Sequence, residues 1–423
     1  MTTSKPGSPP DPGSLRRDLV ACTGDGATYC VMVGACEGNF GAFVLALGKG
    51  SVLGGLAATL PNLAGSLVQL VSAPGLRRLG SPRRWIQGCA TVQSASLLAM
   101  SAGAWTGAMP TWLVFGCIAV YWASALGAGP AWNTWVARLF PPRLRTPYFA
   151  ARSRLCNILQ LSSMLAAGWV LREGEAGGWA MRSFAVVLAG AALARLSSIP
   201  FLQRQGDVPL APEDVQPAPW RTLPARLVRG DLRAMLFLVC LQGALQSGGP
   251  FITPWLREEL HFDMWRFTVC IAMVFVARSL AMPAAGRLIR RLGASRAMSL
   301  GALGAAVAML LLPVSGSLAW ILFVQAFAGA ALACVDLAGF LLMLETIDHR
   351  ERTALMSLYM VLTCAAQAAG SLLGAALLQS FSTPSTGYAA LFVLSGLLRL
   401  LVLLVRPPRP RARAVTVSVD SRA

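Results

Sequence analysis

Apolar residues run through this chain in long blocks separated by short polar segments rich in arginine. Twelve blocks reach about 18–25 residues, the length a helix needs to cross a ~30 Å hydrocarbon layer. They cover 22–47, 51–72, 85–104, 110–130, 153–171, 181–202, 233–254, 265–284, 297–314, 317–343, 354–378 and 387–405. Lipid supplies no partners for backbone N–H and C=O groups, so each block is predicted as a helix. The first is longer than a signal-peptide core and has no small-x-small cleavage site, so it is expected to stay in the chain.

Composition points the same way. The 423 residues are 55% hydrophobic and only 13% charged, whereas a soluble domain carries ~25% charged residues on its water-facing surface. That balance counts against a soluble enzyme. The formal net charge of +18 raises the possibility of nucleic acid, but the 36 basic residues fall in short clusters between apolar blocks, with no basic helix. Clusters of that kind set membrane topology, because basic loops stay on the cytoplasmic side. By this rule 28 of them lie on the side of the chain termini and five on the other, placing both termini in the cytoplasm. The loop between the fourth and fifth blocks adds Trp132, Trp135, Tyr148 and Phe149 to its arginines, a pattern expected against anionic lipid headgroups. The ten cysteines form no CxxC pair and lie away from His261 and His349, so neither a metal site nor a cofactor is expected.

A polar, proline-rich stretch at 203–232 divides the blocks into two sets of six, 18–202 and 233–405, flanked by tails at 1–17 and 406–423. The two sets echo each other. Arg77-Arg78-Leu79-Gly80 after the second block recurs as Arg290-Arg291-Leu292-Gly293 after the eighth, and similar short runs surround Arg195 and Arg399. Duplicated six-helix halves are a common transporter architecture. With Gly286, Arg291, Gly293 and Arg296 in the second loop and Arg78, Gly80 and Arg83 in the first, the chain resembles bacterial members of the major facilitator superfamily. The resemblance implies an all-α integral membrane fold of twelve helices in two pseudo-symmetric halves, with those seven residues in cytoplasmic gating loops. It also implies a monomeric, multi-pass protein of the cytoplasmic membrane that is no enzyme and moves a small solute. In both loops an arginine, Arg77 or Arg290, stands where the family usually has an acid.

A charged side chain within a membrane helix costs about 2.5–3.5 kcal/mol on insertion scales, so each one needs a reason. Glu37, near the middle of the first block, is the candidate proton-coupling group. Arg278 and Asp336 lie at similar depths in the eighth and tenth blocks and are expected to pair or to sense solute charge. Asp25 reads as a solvated acid in the first turn of its helix. Arg195 and Arg399 read as anchors whose guanidinium groups snorkel to the interface. Amides at helical spacing supply candidate solute contacts: Asn62, Gln69, Asn157, Gln160, Gln242, Gln246, Gln325 and Gln367. The seventh block ends in Gln246-Ser-Gly-Gly-Pro-Phe-Ile-Thr-Pro254, which cannot remain one regular helix, and Pro61 weakens the second.

These features predict a secondary transporter working by alternating access, with the proton as coupling ion. An uncoupled facilitator is the alternative. A polytopic enzyme or receptor would need a catalytic grouping at one face, for which only Glu345, Asp348, His349 and Glu351 present themselves. The topology is checked with reporter fusions. A green fluorescent protein placed after residue 414 should fluoresce and an alkaline phosphatase there should be inactive; the opposite pair would invert the assignment.

Overall fold

A computed structural model describes residues 12–207, 233–346 and 352–404, and among them every regular element is helical. The two tails, most of the 203–232 stretch and the 347–351 loop lie outside the described residues. The first stretch of chain forms α1 (Pro12–Cys36), α2 (Phe40–Ala46), α3 (Ser51–Leu56), α4 (Leu60–Leu79), α5 (Pro82–Thr106), α6 (Thr111–Leu139), α7 (Pro142–Ala176), α8 (Ala180–Leu196) and α9 (Ser198–Arg204). The second forms α10 (Arg233–Gln246), α11 (Met264–Leu292), α12 (Ala294–Leu311), α13 (Leu318–Thr346), α14 (Arg352–Gln379) and α15 (Pro384–Leu404). A broken helical segment over Gly249–Glu259 extends α10.

Among the described residues ten helical stretches are long and apolar enough to cross a membrane. Helices α5 and α7, which cover the third and fifth blocks, are long but more polar. The first bears Gln87, Gln93, Ser94 and Ser96; the second carries arginines at its start and Arg172, Glu173 and Glu175 near its end. In α5 that polarity is used in packing: Gln93, Ser94 and Ser96 are all buried.

The internal echo of the sequence reappears in the packing. In the first stretch α1 pairs with α7, α4 with α6, and α5 with both α6 and α8. In the second, α10 pairs with α14, α11 with α13, and α12 with both α13 and α15. Each pair in the second set stands at the same place in chain order as its counterpart in the first. The two stretches meet through α7 and α11, through α4 and α14, and through the ends of α2 and α3 against the Gly249–Pro254 segment.

Apart from Asn62 with Cys364, the cross-contacts that can be named gather at the end remote from Pro12 and Leu404. Gly41 and Gly55 admit Thr253 and Phe251, Gly168 sits against the Thr268 side chain, and Arg257 pairs with Glu175. Glu175 also accepts the Met264 N–H at 2.9 Å. Apolar groups close the same end, with Phe43, Phe251, Trp255 and Phe392 in one buried cluster.

Besides the sixth, which is interrupted at Ser197 between α8 and α9, three membrane-length segments break among the described residues. The first breaks between α1 and α2, where Glu37–Asn39 forms a 3-10 turn and the Asn39 side-chain amide donates to the Ala35 carbonyl at 2.9 Å. The second breaks at 57–59, just before Pro61 enters the first turn of α4. The seventh breaks after Gln246, as its Gly-Gly-Pro run requires. Pro250 has no N–H to return to the Gln246 carbonyl, and the Ser371 hydroxyl of α14 donates to that carbonyl instead, at 3.1 Å.

The same break explains Arg399, and here the structure corrects the sequence reading. Arg399 is only 6% exposed and donates to the carbonyls of Leu245 at 3.0 Å, Ala305 at 2.6 Å and Ala244 at 3.5 Å. Arg195, at the corresponding place in the first stretch, is 4% exposed. It donates to Gln93 at 2.8 Å and to Ser198 at 3.1 Å, and lies 3.5 Å from the Asp25 carboxylate. Neither arginine snorkels, and Asp25 is buried rather than solvated. Helix position alone suggested the interface; partners on neighbouring helices draw both side chains inward.

Close packing of α1 on α7 depends on Gly34, where a Cβ would collide with the Gln160 carbonyl and the Ser163 hydroxyl. Gly34→Val should lower stability by about 1–3 kcal/mol, the usual range for overpacking, read as a fall in the thermal unfolding midpoint. Gly88→Ala, where nothing lies within 4 Å of the new methyl, serves as the unaffected control. Equal midpoints for the two variants would contradict this packing.

Candidate functional site

The break in the seventh segment opens one wall of a partly open cavity of about 550 Å³ lined by α10, α11, α12, α13 and α15. Five of the residues singled out in the sequence line it: Gln242, Gln246, Arg278, Gln325 and Asp336. Ile271, Phe275, Met309, Leu312 and Val324 give it an apolar wall, and Arg399 closes one side. Helical spacing accounts for the gathering. Gln242 and Gln246 stand one turn apart on α10, while Gln325 and Asp336 share a face of α13 three turns apart. Gln367 on α14 adds its amide from behind, donating to the Gln242 side-chain oxygen at 3.1 Å.

Arg278 and Asp336 form the expected ion pair, with side chains 39% and 32% exposed, so each retains access to the cavity. A pair in that setting is not fully screened, yet it is not sealed from an incoming charged group.

A second cavity, of about 300 Å³, lies within the first stretch. Asn157 lines it, together with Asp25, Tyr29, Trp132, Arg152 and Arg195. Arg195 lies over the Tyr29 ring at 5.0 Å and Arg152 over the Trp132 ring at 4.9 Å, both cation–π contacts. The Arg152 Nε donates to the Cys22 carbonyl at 3.1 Å.

Glu37 lines neither cavity. It occupies the 3-10 turn that interrupts the first segment, half-buried, and accepts a hydrogen bond from the fully buried Tyr121 hydroxyl at 2.8 Å. Asn62 accepts a weak bond from the Cys364 thiol across the α4–α14 contact at 3.9 Å. Gln160 stands at the α1–α7 contact, where its carbonyl faces Gly34. The Gln69 side chain lies outside the described residues, as do those of Glu345, Asp348, His349 and Glu351. The candidate amides thus divide among two cavities and two helix contacts.

The loops after α4 and α11 carry the repeated motif, and their glycines have a physical reason. Gly80 at φ +65° and Gly293 at φ +82° terminate the helices with positive φ angles that disfavour a side chain. Arg83 reaches back to the end of α9, donating to the Gln203 and Gln205 carbonyls at 3.4 and 3.3 Å, and lies 3.7 Å from Asp207. Arg78, Arg291 and Arg296 are exposed. Gly286 packs near Arg290 and Leu337 without crowding.

Sequence reading missed three contributors. Tyr121 stood as one polar group in an apolar helix, Ser371 as one small residue among many, and Arg399 as an anchor. The freed Gln246 carbonyl did imply some donor, but not which helix would supply it.

A family model described as Major Facilitator Superfamily matches residues 249–420. Among curated proteins none matches the chain in sequence. Solved structures match its fold over nearly its whole length. A variant of the nucleoside transporter NupG aligns with TM-score 0.73 at 12% identity, covering 92% of this chain and 99% of that one. An auto-inhibited POT family peptide transporter aligns with TM-score 0.72 at 14% identity, over 93% and 97%. A D-xylose-proton symporter aligns with TM-score 0.64 at 14% identity, over 91% and 97%. The family match covers the C-terminal stretch, and the fold match shows that nearly the whole chain has the fold of these solved transporters.

The ion pair yields a prediction of its own. Asp336→Asn should leave Arg278 without its partner and cost about 1–3 kcal/mol, between the values for exposed and sealed pairs. Adding Arg278→Gln to it should recover part of the loss. Strictly additive losses in the unfolding midpoint would show that the two side chains do not interact.

Proposed function

We propose that this chain, which matches the Major Facilitator Superfamily model over residues 249–420 and shares the fold of solved transporters, moves a small solute across the cytoplasmic membrane by alternating access. In this reading twelve helices form two halves, 18–202 and 233–405, with both termini in the cytoplasm, and the halves rock against each other while the candidate site lies within the second half. The reading rests on the gathering of Gln242, Gln246, Gln325 and the Arg278–Asp336 pair around one cavity at a broken helix. A broken helix beside a polar cavity at membrane depth offers free backbone groups and a place to bend. Contacts at the end remote from the termini fit a conformation closed to the outside. The protein acts as a monomer, with Arg83, Arg78 and their counterparts Arg291 and Arg296 in the cytoplasmic gating loops.

Glu37 is assigned as the proton-binding group. Its place at the first segment's break gives it a hinge, and the Tyr121 hydroxyl supplies a donor that favours the carboxylate when the proton leaves. An uncoupled facilitator would need no such group.

Proteoliposomes containing a pH-sensitive dye test this directly against a panel of metabolites. A solute of the wild-type protein should carry protons with it, and Glu37→Gln should reduce that proton flux at least tenfold while solute exchange continues. Proton flux unchanged in the variant would remove Glu37 from the mechanism. Solute flux without proton flux in the wild type would identify a facilitator.

A further inference from the structure

The two buried arginines at corresponding places in the fold are neutralised differently. Arg195 has the Asp25 carboxylate 3.5 Å away. Arg399 meets only backbone carbonyls, those of Ala244 and Leu245 on α10 and of Ala305 on α12. Among the described residues no carboxylate pairs with it.

An arginine 6% exposed and lacking a counter-charge is costly in a membrane interior unless something compensates for it. Carbonyl dipoles do part of this. The remainder falls on the cavity, whose wall Arg399 forms. There Arg278 and Asp336 cancel, so the described lining carries one net positive charge.

We infer that the 550 Å³ cavity takes an organic anion, a compact apolar body bearing one carboxylate or a similar oxyanion, with the acidic group drawn to Arg399 and Arg278. Size and lining argue against a bare inorganic anion. The volume greatly exceeds that of a single ion, and Phe275, Met309 and Val324 offer apolar surface that only a solute with a hydrocarbon body would use. The amides of Gln246 and Gln325 line the same cavity and offer it further hydrogen-bond donors. The Arg278–Asp336 pair gives the anion a route in, because Arg278 can exchange one carboxylate for another without being left bare. This inference rests on the transport reading for its direction of use, but the binding site itself does not.

The test uses the full-length protein in detergent with 3-phenylpropionate, its neutral amide 3-phenylpropionamide, and sodium chloride, each titrated against the thermal unfolding midpoint. The carboxylate should raise the midpoint saturably, and the amide and chloride should not. Arg399→Gln should weaken the carboxylate's apparent affinity about tenfold or more, the loss expected for one charge-assisted contact. Should that variant fail to fold, Asp336→Asn provides an independent arm: it adds a second net positive charge to the lining and should tighten carboxylate binding. Equal shifts with acid and amide, a shift reproduced by chloride alone, no shift at all, or unchanged binding in Asp336→Asn would each overturn the inference. Uptake of labelled 3-phenylpropionate into proteoliposomes is read separately. Saturable binding without uptake would contradict the transport reading and leave the anion site standing, whereas uptake of neutral metabolites with no carboxylate binding would overturn the anion site alone.

Discussion

A hydrocarbon layer offers no partner to a backbone N–H or C=O, so any helix that breaks within it must find its missing partners on other helices. The seventh segment obeys that constraint. Its Gly248-Gly249-Pro250 run ends the regular hydrogen bonding at Gln246, and the freed carbonyls become attachment points for α14 and α15. Ser371 takes Gln246; Arg399 takes Leu245 and, with Ser395, Ala244. The bend that opens the cavity is therefore fixed by the same groups that join this segment to two others. Had the segment been one straight helix, those polar side chains would face apolar neighbours at a cost of several kcal/mol each.

The charges obey the same rule of partners. In the first stretch Arg195 is held by Gln93, Ser198 and Asp25 and lies against Tyr29, a closed set. In the second, Arg278 and Asp336 are paired but reachable from the cavity, and Arg399 is held by carbonyls alone. Arg195 therefore has a carboxylate beside it, whereas Arg399 has none among the described residues. The two stretches thus share their helix pairing and differ in how these arginines are partnered.

How much of this was legible beforehand depends on the range of the interaction. The spans, the repeat, the break after Gln246 and the shared face of Gln325 and Asp336 are local features, set by hydropathy, proline chemistry and helical periodicity. Arg278 pairing with Asp336 followed from depth along two helices and an arginine's reach. Arg195 and Arg399 could not be placed by depth alone, because snorkelling and inward bonding start from the same position on a helix. The choice rests on residues far away in the chain, such as Gln93 for one and Ala244 for the other. Glu37 fell outside both cavities for a related reason: the break at 37–39 turns its side chain toward Tyr121, and no sequence period marks that turn. The greater polarity of α5 has a long-range reason too, since Gln93, Ser94 and Ser96 are buried against neighbouring helices.

Alternating access requires that the end closed by Gly41, Gly55, Phe251 and Thr253 open in the working cycle. The distance between spin labels on Lys49→Cys and His261→Cys reports that opening, in a background freed of native cysteines and reconstituted in lipid, followed as pH is varied. Two interconverting populations are predicted, one at the separation of the closed end and one longer, with their ratio shifting with pH and with Glu37→Gln. One narrow, short distance under every condition would contradict alternating access in this chain.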